Sequence, residues 1–220
     1  MPRVVDLTLS LVPGARGVAM EPKFTVDRDG WNAADWRLYS HAGTHMDAPV
    51  HFNASPATID QTPLAACFGP AWIARIPEIA PRALLAVSDL GSVATTFRPG
   101  ESLLLHTGWS RHVDNPAIYR DALPRVSEEL ARWCVERRVR ILGVEPPSVA
   151  DVHNREEVTR IHRLLLEGGV TIVEGLAHLD QLTQERVFFG AVPLKLFGGD
   201  GSPVRAFAVE GISPEGWSEV

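Results

Sequence analysis

A mixed α/β fold with much antiparallel or barrel-like sheet is the architecture this sequence predicts, and three observations carry it. The chain has 220 residues, enough for one sizeable core and short for two, so residues 1–220 are expected to form a single domain. Short apolar or alternating runs bounded by Gly, Pro or Asp clearly outnumber amphipathic helical stretches. No internal repeat with a period of roughly 20–50 residues and no low-complexity tract interrupts it.

The runs RVVDLTL (3–9), WRLYSH (36–41), AWIARI (71–76) and SLLLH (102–106) read as strands. So do RILGV (140–144), VTIVE (170–174), VFFGAV (187–192) and VRAFAV (204–209). A helix is expected over 128–138, because Ser127 supplies an N-cap, Glu128 and Glu129 sit in its first turn, and Arg137 and Arg138 in its last. A second, over 155–167, carries Val158, Ile161, Leu164 and Leu165 on one face and stops at Gly168-Gly169. The helices are too few for a regular βαβ repeat.

Composition narrows the function classes. Hydrophobic residues at 45% and charged ones at 22% are ordinary globular usage. With 21 basic against 27 acidic residues and no long basic run, nothing tracks a phosphate backbone, and nucleic acid is set aside as a partner. The opening MPRVVDLTLSLVPGARG is broken by Asp6, Pro13 and Gly14, which fits neither a signal peptide nor a membrane span and makes a cytoplasmic location the expectation. Cys67 and Cys134 stand among apolar neighbours and read as small buried side chains.

The chemistry concentrates in HAGTHMDAPVHFN (41–53), which holds three of the eight histidines and an aspartate. A helix would bring His41 and His45 together at i, i+4, but Gly43, β-branched Thr44 and Pro49 all oppose one. In an extended chain alternate side chains share a face, so His41, Gly43, His45, Asp47, Pro49 and His51 are expected in a row. A single histidine there would be an ordinary solvated or hydrogen-bonded side chain; three in phase with an aspartate read as metal ligands. Imidazole with carboxylate accepts Zn2+ or Mn2+.

Two further groups fit a metal. His162 falls on the apolar face of the second helix beside Val158 and Leu165, where a histidine needs a specific partner. Glu174 ends VTIVE on the face of Val170 and Ile172, and a carboxylate there is costly to bury unless it meets a cation or pairs with Arg160 or Arg163. Asp151 with His153 is a lesser alternative ligand pair, and Gly198–Ser202 (GGDGS) reads as a tight turn.

These residues resemble the metal-dependent cyclase-like hydrolases that include bacterial kynurenine formamidase and isatin hydrolase. His41 to Phe52 matches the pattern HxGTHxDxPxHF at every fixed position, and LLLHTGWS (103–110), GVEPPSV (143–149), HLDQL (178–182) and VPLKLFGGDGSPVRAFAVE (192–210) are similar to later family stretches. The resemblance implies a swivelling β/β/α type of fold, a homodimer, and small aromatic or cyclic amide substrates. It implies that His41, His45 and Asp47 hold one metal, that Asp47 bridges to a second held by His162 and Glu174, and that His51 is the catalytic acid/base. Glu145 and Ala150 stand where relatives often carry Asp, and His178 where they carry Asn.

A metal held by a few protein groups lowers the pKa of its water toward about 7. His51, with an ordinary pKa of about 6.5, is suited to carry the proton that a leaving amine requires. The expected reaction is hydrolysis of a C–N bond in an aryl formamide, as in N-formylkynurenine to kynurenine and formate in tryptophan catabolism. Alternatives are an isatin-type lactam or lactone ring opening, or a metal-binding regulatory protein without catalysis. Neither a G-x-S-x-G elbow nor an activated cysteine offers a competing nucleophile. Two Zn2+, or Mn2+ in their place, are the expected cofactors. Trp31, Trp36 and Trp109 are candidate aromatic walls for the substrate, or else core aromatics.

Overall fold

A computed structural model of the chain describes residues 1–76 and 79–212. Its main sheet has eight strands: β1 (Arg3–Asp6), β2 (His45–Asp47), β3 (Phe68–Arg75), β4 (Ser102–His106), β5 (Ile141–Val144), β6 (Thr171–Glu174), β7 (Arg186–Pro193) and β8 (Gly201–Glu210). The order is β1-β8-β7-β3-β4-β5-β6-β2, and a pairing of β2 back onto β8 closes all but β1 into a seven-stranded barrel. Strands β3, β4, β5 and β6 run parallel to their neighbours in that series, and the other pairings are antiparallel.

Closure depends on the length of β8. Its first residues, Gly201–Pro203, pair with β2, while Arg3–Asp6 of β1 pair farther along the same edge with Phe207–Glu210. The opposite edge, Val204–Val209, is taken by β7.

Alternation along each strand divides two apolar layers. Met46, Ile73, Leu104, Ile141, Val173 and Phe189 fill the barrel interior. Leu103, Leu105, Leu142, Val144 and Ile172 point outward instead, into a second core with Leu130, Cys134, Ile161 and Leu165 of two helices, Glu128–Glu136 and Arg155–Glu167. Ser127 caps the first as expected, its Oγ accepting from the Leu130 N–H at 3.0 Å; Asn154 caps the second through the Glu157 N–H at 3.1 Å. Cys67 and Cys134 are both buried and unlinked. No helix among the described residues is long and apolar enough to cross a membrane.

The strand expected over 36–41 lies outside the barrel. It occupies Ala33–Leu38 and pairs with Val18–Phe24 as an exposed hairpin. It stops before His41 because the chain turns there, the Ala42 N–H donating to the Tyr39 carbonyl. The row of alternating side chains from His41 to His51 is therefore corrected. Gly43 takes a left-handed φ of 59°, only His45–Asp47 is strand, and Pro49–Phe52 is a 3-10 turn. Proline at the first position of that turn fits it, since its missing N–H is not needed there.

Where β6 ends, the segment that carries Glu174 and the one that carries His45 meet backbone to backbone. Gly175 has φ 70°, and a Cβ on it would lie 2.5 Å from the Gly43 carbonyl oxygen. The Thr44 hydroxyl locks the contact by donating to the Gly175 carbonyl and accepting from the Leu9 N–H. Gly175→Ala is expected to destabilise the chain by about 1–3 kcal/mol, from a strained φ and an overpacked contact against backbone that has nowhere to go. Thermal unfolding followed by circular dichroism checks this, and an unchanged midpoint would mean that the close approach is not obligatory.

Candidate metal centre

Strand β2 delivers the first donors. Met46 faces the barrel interior, so His45 and Asp47 on either side of it face outward, toward the helix Arg155–Glu167. Antiparallel register sets Glu174 of β6 directly opposite His45. His162 reaches the same spot from the helix, buried on its apolar face as the sequence pattern requires. His41 enters from the turn before β2, and His51 from the 3-10 turn after it.

The donor atoms lie close together. His45 Nε2 is 3.2 Å from Glu174 Oε2 and 3.7 Å from Asp47 Oδ1. His162 Nε2 is 3.2 Å from Glu174 Oε1 and 3.6 Å from Asp47 Oδ2. His41 Nδ1 is 2.9 Å from Asp47 Oδ1. Two donors each 2.0–2.1 Å from a tetrahedral zinc would be roughly 3.3 Å apart. Three groups of metal-binding spacing occur among the described residues: two share Asp47, namely His41, His45 and Asp47 and then Asp47, His162 and Glu174, and the third is His41, His51 and Asp200.

The tautomers fit a cation as well as the distances do. His45 Nδ1 lies 3.0 Å from the Gly43 carbonyl and His162 Nδ1 2.7 Å from the Val158 carbonyl. Those carbonyls only accept, so Nδ1 donates, and in each neutral ring the Nε2 lone pair faces carboxylate oxygen. Such an arrangement is repulsive until a proton or a metal ion fills it. Asp47 Oδ2 is buried with no hydrogen-bond partner, another mark of a group that awaits a cation. Glu174 Oε1 also accepts from the Val149 N–H at 2.8 Å.

The same demand appears in the titration of these groups. Burial would raise the Glu174 pKa, but hydrogen bonds and charge from His162 and His45 hold it well below the carboxylate range. Burial opposes charging of His162, yet Glu174 and Asp47 raise its pKa. For His41, burial is outweighed by Asp47 and Asp200, which push it up to about 9. His51 goes the other way: burial, with the positive fields of His41 and His162, lowers it despite Asp47 and Asp200, and favours a neutral ring.

His41, His45, His51, His162 and Glu174 line one side of a cavity of about 490 Å³, within the range of small-molecule sites. Leu9, Tyr39, Phe52, Tyr119 and Val152 supply much of its apolar wall. The three tryptophans expected as walls do not line it. Trp31 and Trp36 sit on the hairpin at 57% and 51% exposure. Trp109 is buried to 1%, its indole N–H donating to the Tyr119 carbonyl at 2.9 Å, so it braces a wall without forming one.

Sequence reasoning missed Asp200, taken as part of a plain turn. Its Oδ2 lies 3.1 Å from His41 Nε2 and 3.5 Å from His51 Nδ1. The available signal was a carboxylate between glycines within the family-like stretch 192–210. His153 pairs with Asp121 at 2.8 Å and belongs to none of the metal-spaced groups among the described residues. Glu145 is buried under donors from Thr107, Trp109 and Ser110; Ala150 is core and His178 is exposed. None of these three departures faces the cavity, whereas Pro147 and Ser148 beside them do.

Comparison with known proteins finds similar sequences and folds. A kynurenine formamidase from Bacillus cytotoxicus is 31% identical over 195 residues, covering 88% of each chain. Another from Salinibacter ruber is 27% identical over 184 residues, 82% of this chain and 81% of its own. The solved isatin hydrolase A from Ralstonia solanacearum superposes with a TM-score of 0.81 at 26% identity, over 94% of this chain and 92% of that one. The family model for Cyclase matches residues 5–151, and the chain belongs to the Cyclase family.

Proposed function

We propose that this chain is a metal-dependent hydrolase of the C–N bond in a small aryl formamide, with N-formylkynurenine the favoured substrate and zinc the favoured ion, manganese its alternative. The observation that carries the reading is a proton-transfer group, His51, facing the same cavity as two metal-spaced groups that share Asp47. His41, His45 and Asp47 would hold one ion, and Asp47, His162 and Glu174 the other. Bound there, a divalent ion lowers the pKa of water and polarises a carbonyl oxygen.

The protein's own groups do the rest. The apolar walls orient the aryl ring and exclude bulk water, which strengthens every charge interaction on the cavity floor. His51 takes a proton from the attacking water and returns it to the amine nitrogen as the C–N bond breaks, so that formate and the free aryl amine leave. Its lowered pKa keeps the ring able to accept that proton near neutrality. A second reading, ring opening of an isatin-like lactam, draws support from the likeness to the Ralstonia enzyme. Homodimerisation is part of the proposal, supported by the exposed Trp31 and Trp36 of the hairpin. The absence of a membrane-crossing helix among the described residues is compatible with work in the cytoplasm.

Purified metallated protein is expected to turn over N-formylkynurenine faster than isatin, and His51→Ala to lose about 10²–10⁴-fold in kcat with its metal content intact. Inactivity of the metallated wild type on aryl formamides, lactams and activated esters alike would reject the hydrolase. Glu174→Gln is expected to bind one fewer ion per chain by elemental analysis, and Asp47→Asn to weaken both; unchanged metal content would overturn the ligand assignment. Light scattering should return twice the mass of the chain, and a monomer at enzyme-assay concentrations would reject the dimer.

A further inference from the structure

Each imidazole assigned to a metal has its far nitrogen anchored, and the anchors are not alike. Backbone carbonyls hold Nδ1 of His45 and of His162, which turns Nε2 toward the carboxylates. His41 is reversed: its Nδ1 faces Asp47 and its Nε2 faces Asp200 Oδ2 at 3.1 Å. The same oxygen lies 3.5 Å from His51 Nδ1, and the His41 and His51 rings stack with centroids 4.0 Å apart.

Resting on the metal assignment above, we propose that Asp200 is a positioning residue that sets the tautomers of His41 and His51 together. Accepting from His41 Nε2–H leaves the Nδ1 lone pair for the ion beside Asp47. The Asp200 charge, 3.5 Å from His51 Nδ1, favours the proton on that nitrogen and leaves Nε2 free to exchange protons with substrate and water. One carboxylate oxygen thus ties a metal ligand to the proton carrier. Asp200 does not line the cavity, so it acts through the two rings and not on the substrate.

Its place is set by backbone bonds that do not involve its carboxylate. The Asp200 carbonyl accepts from the Ala48 N–H at 3.0 Å, and the Gly199 carbonyl from the Ile59 N–H at 2.9 Å. Gly201 packs so tightly on the His41 ring that a Cβ there would lie 2.7 Å from Cε1. Ala48 also leads directly into the 3-10 turn that carries His51. The segment bearing the carboxylate and the segment bearing the proton carrier are therefore fastened to each other.

Asp200→Asn tests the proposal, because the amide keeps the shape and the backbone bonds but loses the anionic acceptor. Competition with a chromophoric zinc chelator, without substrate, should show zinc bound about 10–100-fold more weakly at unchanged stoichiometry. At saturating zinc, kcat should fall about tenfold or more while KM holds. Unchanged affinity with unchanged kcat would overturn the proposal, and so would loss of one zinc per chain, which would make Asp200 a ligand. Nitrogen-15 NMR of the zinc-loaded wild type gives a test that no variant's folding affects: His41 protonated at Nε2 and His51 at Nδ1 is expected, and the opposite tautomer in either ring refutes the assignment. Both binding measurements stand whatever bond the enzyme cleaves, so a wrong substrate class would leave them untouched.

Discussion

Asp47 and Glu174 are buried within a few ångströms of each other, and the basic groups facing them among the described residues are all histidines. Two such carboxylates cost several kcal/mol each to remove from water unless a cation compensates them. No lysine or arginine is supplied, and two of the three imidazoles have their protons committed to backbone carbonyls on the far side. The arrangement is one that divalent ions complete. Most of what surrounds it serves to hold the four segments that carry these side chains at that spacing against their mutual repulsion.

Barrel closure and ligand placement are the same event. Strand β2 is three residues long, and it is held between β6 and β8. Its central Met46 anchors it in the interior core, which leaves His45 and Asp47 no direction but outward. Pairing with β6 then sets Glu174 opposite His45, while pairing with β8 brings Asp200 to the rim. A shift of one residue in either register would turn His45 and Asp47 into the barrel and Met46 out toward His162. Apolar packing inside the barrel therefore guards the chemistry outside it.

The cavity wall is made differently from its floor. Its apolar residues come from loops and short helical segments, among them Leu9, Tyr39 and Tyr119, held by contacts behind them. Glu145 is an example of such support. It gathers the backbone and hydroxyl donors of Thr107, Trp109 and Ser110, while its own carbonyl accepts from the Tyr119 hydroxyl at 2.9 Å. The carboxylate at this position braces the segment 107–110, whose Trp109 indole in turn donates to the Tyr119 carbonyl, and it does not line the cavity itself.

The sequence by itself determined most strands of the barrel, the two longer helices and the histidine and carboxylate side chains that gather at one buried spot. Each follows from local periodicity, capping, or the cost of burying a charge. It singled out this cluster of histidines and carboxylates despite a wrong local picture, since His41 and His51 reach it from turns and not from one extended row. Only the tertiary structure decided that the tryptophans stand away from the cavity, that the three departures from the family pattern do not face it, and that Asp200 stands beside His41 and His51. Those facts depend on which loops lie against one another after the barrel closes. Residues such as Asp47 and Asp200, paired through β2 and the start of β8 from opposite ends of the chain, have no shared local pattern to reveal them.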